Sequence, residues 1–219
     1  GAACSRRGCI LVLRQTASGG AADPLAKLLR SSDARAKVGA FAAAAQLCSS
    51  CARFAADGEV ASVQPALRAL IAAVSPSAGT APGDALAALV ALPAEEPPAS
   101  RTRCTSPQIS PHLPASFRQE LRVAALRLLL GLAQLEWGAL ALARCEGLLH
   151  LLLHAGAVLT PDELRDKHAL ASALLKSTAA ADVIGAGAAT VRQLREYVAA
   201  GPFAAQSKAE ARPEGPLTL

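Results

Sequence analysis

Four leucines that recur at a nearly constant step are the feature that most constrains the fold of this chain. Leu47, Leu89, Leu132 and Leu174 follow one another at steps of 42, 43 and 42 residues. The positions four and three residues before each leucine, and one residue after it, are apolar in all four copies. At about 100° per residue these positions share one face of a helix. A repeat of about 40–47 residues built on one conspicuous helix is typical of armadillo and HEAT arrays. We therefore predict an all-α, armadillo/HEAT-like helical solenoid of about four repeats, one of them degenerate.

Composition divides the chain into five segments. Residues 1–22 form a ragged N-terminal segment, 23–93 and 118–203 carry the repeats, 94–117 is a Pro-rich loop or disordered insertion, and 204–219 is a polar tail. The insertion carries five prolines where the repeat requires a short and a medium helix. Because the chain begins with glycine and contains no Met, we expect a fragment whose beginning is missing.

Local signals place several helix ends. The third unit begins with a long helix over Arg118–Gln134, and Pro65 is expected at the start of a helix that reaches residue 74. Thr160 and Glu163 have the spacing of a capping box at the start of the fourth long helix. Thr190 is expected to cap the last helix.

The charge balance points to a solvated surface. Lys and Arg number 22 against 17 Asp and Glu, which gives a net charge of +5, and aromatic residues make up only 3%. Basic residues without interleaved aromatics are a weak signal for nucleic acid, and charged residues interrupt the longest apolar stretch, 123–158. We expect no nucleic-acid partner, no membrane span and no signal peptide. A cytoplasmic location follows, with a nuclear pool also expected.

Two motifs with metal-ligand or redox spacing lack the residues that would complete them. Cys48 and Cys51 form a C-x-x-C pair, but no second pair follows and no βαβ setting is present. We interpret them as small apolar residues at a helix end. His150 and His154 are spaced i, i+4, yet the catalytic glutamate and a third ligand are missing. No metal site is predicted.

The stretch Asp182–Thr190, DVIGAGAAT, is similar to the glycine-rich turn of dinucleotide-binding folds. That turn requires a following strand and an acidic residue about 20 positions later, and the chain reaches Gly201-Pro202 instead. We interpret it as a link between two helices, with a dinucleotide-binding enzyme fragment as a minor alternative. No catalytic or cofactor-binding residue is predicted, and the chain is expected not to be an enzyme.

Three stretches carry a resemblance to a known family. Glu120–Leu142, Asp166–Gly185 and Leu194–Phe203 resemble the C-terminal part of the non-ATPase regulatory subunits of the 26S proteasome that act as base-assembly chaperones, with weaker similarity at 36–50 and 84–96. The resemblance implies an armadillo/HEAT-like solenoid, free as a monomer, without cofactor or ATPase activity. It also implies transient binding to the C-terminal domain of a proteasomal ATPase subunit of the base. Family members are longer, so N-terminal repeats are expected to be absent, and 94–117 departs from the family.

Partners of a repeat array usually dock on the exposed helix of each unit. With Leu132 in the core, Arg127 and Gln134 point away from it, and their repeat equivalents lie near Arg165 and Lys176. We predict these four as partner-binding residues. A generic armadillo-type adaptor for another client is the alternative function.

Overall fold

The computed structural model describes residues 24–31, 33–53, 58–72, 90, 115–145, 147–153, 160–185 and 188–204. Within these ranges the chain forms helices joined by short connections, and no strand. The helices are α1 (Pro24–Leu29), α2 (Ala34–Arg53), α3 (Gly58–Ala72), α4 (Ala115–Ala133), α5 (Glu136–Ala143), α6 (Leu148–Leu153), α7 (Pro161–Lys176), α8 (Thr178–Gly185) and α9 (Ala188–Ala200). The predicted all-α fold is confirmed.

Equivalent helices of successive units pack on one another. The long helices stack in the order α2, α4, α7, the short helix α5 packs on α8, and the medium helix α6 packs on α9. Each layer therefore buries its apolar face against the next one, as in a helical solenoid. The predicted total of four repeats stays a prediction.

The repeated leucines lie in one apolar core. Leu132 and Leu174 are fully buried and Leu47 is nearly so, within a single cluster that spans the three long helices. Each buried leucine contributes about 1.5–3 kcal/mol relative to an exposed one. Leu89 lies outside the described residues. The predicted apolar face is narrower on α2, where Ala43 is exposed although its equivalents Leu128 and Leu170 are buried.

The long helices of the first and third repeat units, α2 and α4, are direct neighbours. A Cβ atom placed on Gly131 of α4 would lie 2.9 Å from the carbonyl oxygen of Ala45 and 3.0 Å from Cβ of Cys48, both on α2. Small residues thus let the backbones of α2 and α4 approach so closely that no further helix fits between them at this point. Val90, the one described residue of that unit, is buried and lies against the turn at Gly147.

Three helix starts differ from the prediction. Helix α3 begins at Gly58, so Pro65 lies inside it, since a proline in helical conformation costs the helix one hydrogen bond without having to end it. Helix α9 begins at Ala188, which places Thr190 within the helix and not at its cap. Helix α4 begins at Ala115, so residues 115–117 of the predicted insertion are helical. The segments 1–22 and 205–219, and the rest of the insertion, lie outside the described residues.

The predicted capping box at α7 is confirmed. The backbone N–H of Glu163 donates to the Thr160 hydroxyl at 3.4 Å, and the backbone N–H of Thr160 donates to Oε2 of Glu163 at 2.8 Å. Two of the helix's otherwise unpaired N–H groups are thereby satisfied. At the other end of the domain Gly201, with φ of +89°, follows α9, as expected for a glycine that ends a helix.

No single described helix is long and apolar enough to cross a membrane. Helices α4 and α5 reach that length and hydropathy only when taken together, and the chain bends by 116° at their junction.

Candidate partner-binding groove

An open groove of about 1050 Å³ crosses the ends of the three stacked long helices. It is lined by Ser49, Ala52 and Arg53 of α2, by Leu130, Ala133 and Gln134 at the end of α4, by Glu136 of α5, by Ala169, Ser172, Ala173 and Lys176 of α7, and by Ser177 and Thr178. Helices α2 and α7 both pack against α4, and the groove lies where residues near the C-terminal ends of all three helices meet.

Small side chains form the floor of the groove and longer polar ones form its rim. The rim carries Arg53, Gln134, Glu136 and Lys176, all of which are exposed. The Arg53 guanidinium donates to the hydroxyl of Ser50 at 3.2 Å. Within the described part of the chain, the side chains of Gln134, Glu136 and Lys176 have no hydrogen-bond or ion-pair partner. These three polar side chains are exposed at the rim of the groove.

The C-terminal ends of α2 and α7, which lie at the groove, stabilise basic side chains. Arg53 lies in the last turn of α2 and Lys176 in the last turn of α7, where the helix dipole places partial negative charge. This local stabilisation accounts for two cations at these positions without any partner. It also holds them at the groove.

Two of the four predicted partner-binding residues meet in the groove. Gln134 and Lys176 line it from neighbouring layers. Arg127 lies on the same stripe of α4, seven residues before Gln134, and its Nε donates to Oδ2 of Asp166 at 3.1 Å while the arginine side chain stays 54% exposed. It lies beyond the groove and is already paired.

Arg165 lies apart from the groove. Its Nη1 donates to Oδ1 of Asp162 at 3.0 Å, and its guanidinium carbon lies 5.8 Å from the centre of the Phe203 ring. Phe203 follows α9, so Arg165 contacts the last layer. Of the four predicted residues, Gln134 and Lys176 therefore line the groove, whereas Arg127 and Arg165 lie outside it.

Arg53 and Glu136 also line the groove and are not among the four residues predicted from the sequence. The C-terminal end of α2 packs beside that of α4 and brings Arg53 to the groove. The local sequence around Arg53 does not predict that α2 packs on α4, because this packing depends on contacts between residues far apart in sequence.

A buried ion pair joins α4 to α7 beside the stack. Nε of Arg122 lies 2.9 Å from Oε1 of Glu163, whose side chain is fully buried, and the arginine side chain is 15% exposed. The Thr160 hydroxyl donates to the other carboxylate oxygen of Glu163 at 2.9 Å. The two arginine–acid pairs between these helices span 41 and 39 residues, close to the repeat period. Opposite charges about one repeat period apart in the sequence could have predicted these ion pairs between α4 and α7.

A second polar cluster fixes α9 to α7. Lys167 is buried, and burial lowers its pKa to about 8, because the apolar surroundings disfavour the charged form. Its Nζ lies 5.9 Å from the centre of the Tyr197 ring, and burial raises the pKa of Tyr197. A ring nitrogen of His168, Nε2, lies 3.0 Å from the backbone oxygen of Val198. These groups lie outside the groove and support the last layer.

The two cysteines of the C-x-x-C pair lie in the apolar core, as interpreted from the sequence. Cys48 and Cys51 are buried, and burial raises the pKa of the Cys48 thiol far above its ordinary range. A buried thiol of raised pKa is a poor nucleophile and a poor metal ligand.

The other candidate motifs gain no support from the described residues. His150 is exposed and His154 lies outside them. Nowhere in the described ranges do three or more His, Cys, Asp or Glu residues gather as a metal site would require. Residues 182–185 of the glycine-rich stretch end helix α8, whereas a dinucleotide turn follows a strand.

Comparison with known proteins gives one match. Residues 116–216 match the model of a family described as proteasome non-ATPase 26S subunit, just under half of the chain. The matched residues include nearly all of α4 and every described helix after it. No match was found among curated proteins or among solved structures. The matched part is thus similar to a proteasome-related, non-ATPase subunit.

Proposed function

We propose that this chain is a non-catalytic chaperone in assembly of the 26S proteasome regulatory-particle base, and that it binds the C-terminal domain of a proteasomal ATPase subunit. The observation that carries the proposal is the family match over residues 116–216. The three stretches that resemble 26S proteasome non-ATPase regulatory subunit 5 all lie within these residues. The resemblance supplies the chaperone activity and the ATPase client.

The architecture supports a protein that acts through its surface. Successive helical layers bury their leucines and leave side chains of several layers on a common exposed face, which is how repeat arrays bind extended partners. The groove joins three such layers, and predicted partner residues Gln134 and Lys176 lie on it. A regulatory, non-catalytic protein also fits the non-ATPase description of the family. The proposal places the protein in the cytoplasm, with a nuclear pool, as a monomer when it is free.

Capture from cell lysate tests the proposal. The tagged chain should retrieve one or more ATPase subunits of the base, identified by mass spectrometry, without the core particle that mature 26S proteasomes contain. A tag-only sample is the control. Failure to retrieve any ATPase would contradict the proposal, and consistent recovery of an unrelated client would favour the generic armadillo adaptor.

A further inference from the structure

The width of the groove admits one face of a partner helix at the end of α4. Packed helices lie about 8–10 Å apart, so α2 and α7, on either side of α4, are at most about 16–20 Å apart. Each of these helices is about 10–12 Å wide with its side chains, so the free gap between them is at most about 4–10 Å and admits the side chains on one face of a partner helix. The lining of α7 from Ala169 to Lys176 extends about 10 Å along its axis. An occupant would therefore contribute about two turns.

The floor of the groove favours an occupant with apolar side chains of its own. Ala52, Ala133, Ala169 and Ala173 present methyl groups and leave the space above them open. Apolar residues of a partner helix, spaced three and four apart, can enter that space, as in other helix-in-groove complexes.

The charged side chains at the rim of the groove indicate the charge of the partner that would bind there. Arg53 and Lys176 stand on opposite walls, with Glu136 as the one anion of the rim. Three arginines of α4 and α7 are paired with carboxylates of the chain, but Lys176 has no such partner in the described part of the chain. Two cations on opposite walls complement carboxylates on both edges of a helix.

We propose that the groove binds an acidic amphipathic helix, with its apolar stripe on the alanine floor and with Asp or Glu residues paired to Arg53 and Lys176. The inference rests on the proposed function, because the helix belongs to the C-terminal domain of the ATPase client. It adds the place of binding, the secondary structure of the bound element and its charge.

Purified C-terminal domains of the base ATPases serve as probes. The dissociation constant of each domain is measured for the wild-type chain, for the charge variant R53Q/K176Q and for the matched control R192Q/R195Q. Arg192 and Arg195 are exposed on α9 and do not line the groove, and both variants lose two positive charges. A second pair, Ser172→Trp inside the groove and Gln193→Trp on exposed α9, tests the space itself. Circular dichroism and melting temperature establish that each variant is folded.

The expected result is a dissociation constant about tenfold higher for the charge variant, with a weaker dependence on salt, because each rim ion pair contributes modestly. S172W should weaken binding at least about tenfold, since the indole occupies the place of the partner. Both controls should bind as the wild type does.

Other results overturn the inference in distinguishable ways. Wild-type affinity in both groove variants would reject the groove as the site and leave the proposed function standing. Weakened binding by S172W alone would reject an acidic occupant in favour of an apolar one. A wild-type chain that binds no ATPase domain would reject the proposed function and this inference with it.

Discussion

Arg122 of α4 and Glu163 of α7 form an ion pair of 2.9 Å in which the carboxylate is fully buried. Glu163 at the same time closes the capping box of α7. One carboxylate therefore fixes the start of a helix and joins that helix to the layer before it. An arrangement of this kind is costly to break, because removal of one partner leaves a buried charge uncompensated.

Arg122→Ala is expected to lower the free energy of unfolding by about 3 kcal/mol. Arg127→Ala removes an arginine from the same helix whose pair with Asp166 is exposed, and it should cost less than about 1 kcal/mol. Urea denaturation followed by circular dichroism measures both. Equal losses in the two variants would show that the Arg122 pair is not buried in solution.

Thr160→Ala should destabilise the protein by about 1 kcal/mol, because it removes the side-chain cap of α7 and one donor to Glu163. Thr190→Ala is the matched control. Since Thr190 lies inside α9, its replacement by a better helix former should leave stability unchanged or slightly raised. A loss at Thr190 as large as that at Thr160 would restore Thr190 as a cap. Thermal melts of the two variants decide between these outcomes.

The direct contact of α2 with α4 is tested by two glycines. Gly131→Ala places a methyl group 2.9 Å from the carbonyl oxygen of Ala45, and the two helices must separate at a cost of about 1–3 kcal/mol. Gly39→Ala on α2 meets nothing within 4 Å and should stabilise the helix by about 0.5–1 kcal/mol. If Gly131→Ala also stabilised the chain in denaturant titrations, α2 and α4 would not be in close contact.

The pH dependence of Lys167 has a defined sign. Its pKa falls from the ordinary value of 10.5 to about 8 in the folded protein, so between these values the unfolded chain binds more protons. The contribution of this group to stability therefore rises with pH from about 8 to 10.5. Lys167→Met should be more stable than the wild type below pH 8, by up to about 3 kcal/mol from the cited shift.

The difference between Lys167→Met and the wild type should shrink as the pH is raised to 10. Lys176→Met on the exposed side of the same helix is the control for the loss of one lysine. Chemical denaturation at several pH values provides the measurement. A constant difference for Lys167→Met would mean that Lys167 is solvated.

The parts of the fold that depend on local sequence patterns could be predicted from the sequence. The period of the leucines predicts the helices of α4 and α7, and Thr160 with Glu163 predicts the start of α7, because capping is decided within a few residues. One further observation required the folded chain. Helix α2 packs next to α4 through the close approach of Gly131 to Ala45. Neither residue type predicts this contact from the sequence.

The candidate site was predicted in part for the same reason. Gln134 and Lys176 follow from the repeat, since equivalent positions of stacked layers share a face. Arg53 does not follow, because its place depends on the direct packing of α2 on α4. Arg127 has the predicted direction, but its charge is already paired with Asp166, which a repeat pattern alone does not reveal.

The central claim, transient binding of a proteasomal ATPase during assembly, is tested most directly by one binding assay with two targets. The purified chain is titrated against isolated C-terminal domains of the base ATPases and against purified mature 26S proteasome under the same conditions. We predict saturable binding to an isolated ATPase domain and none to the mature particle. Binding to the mature particle, or to no ATPase domain, would contradict the account.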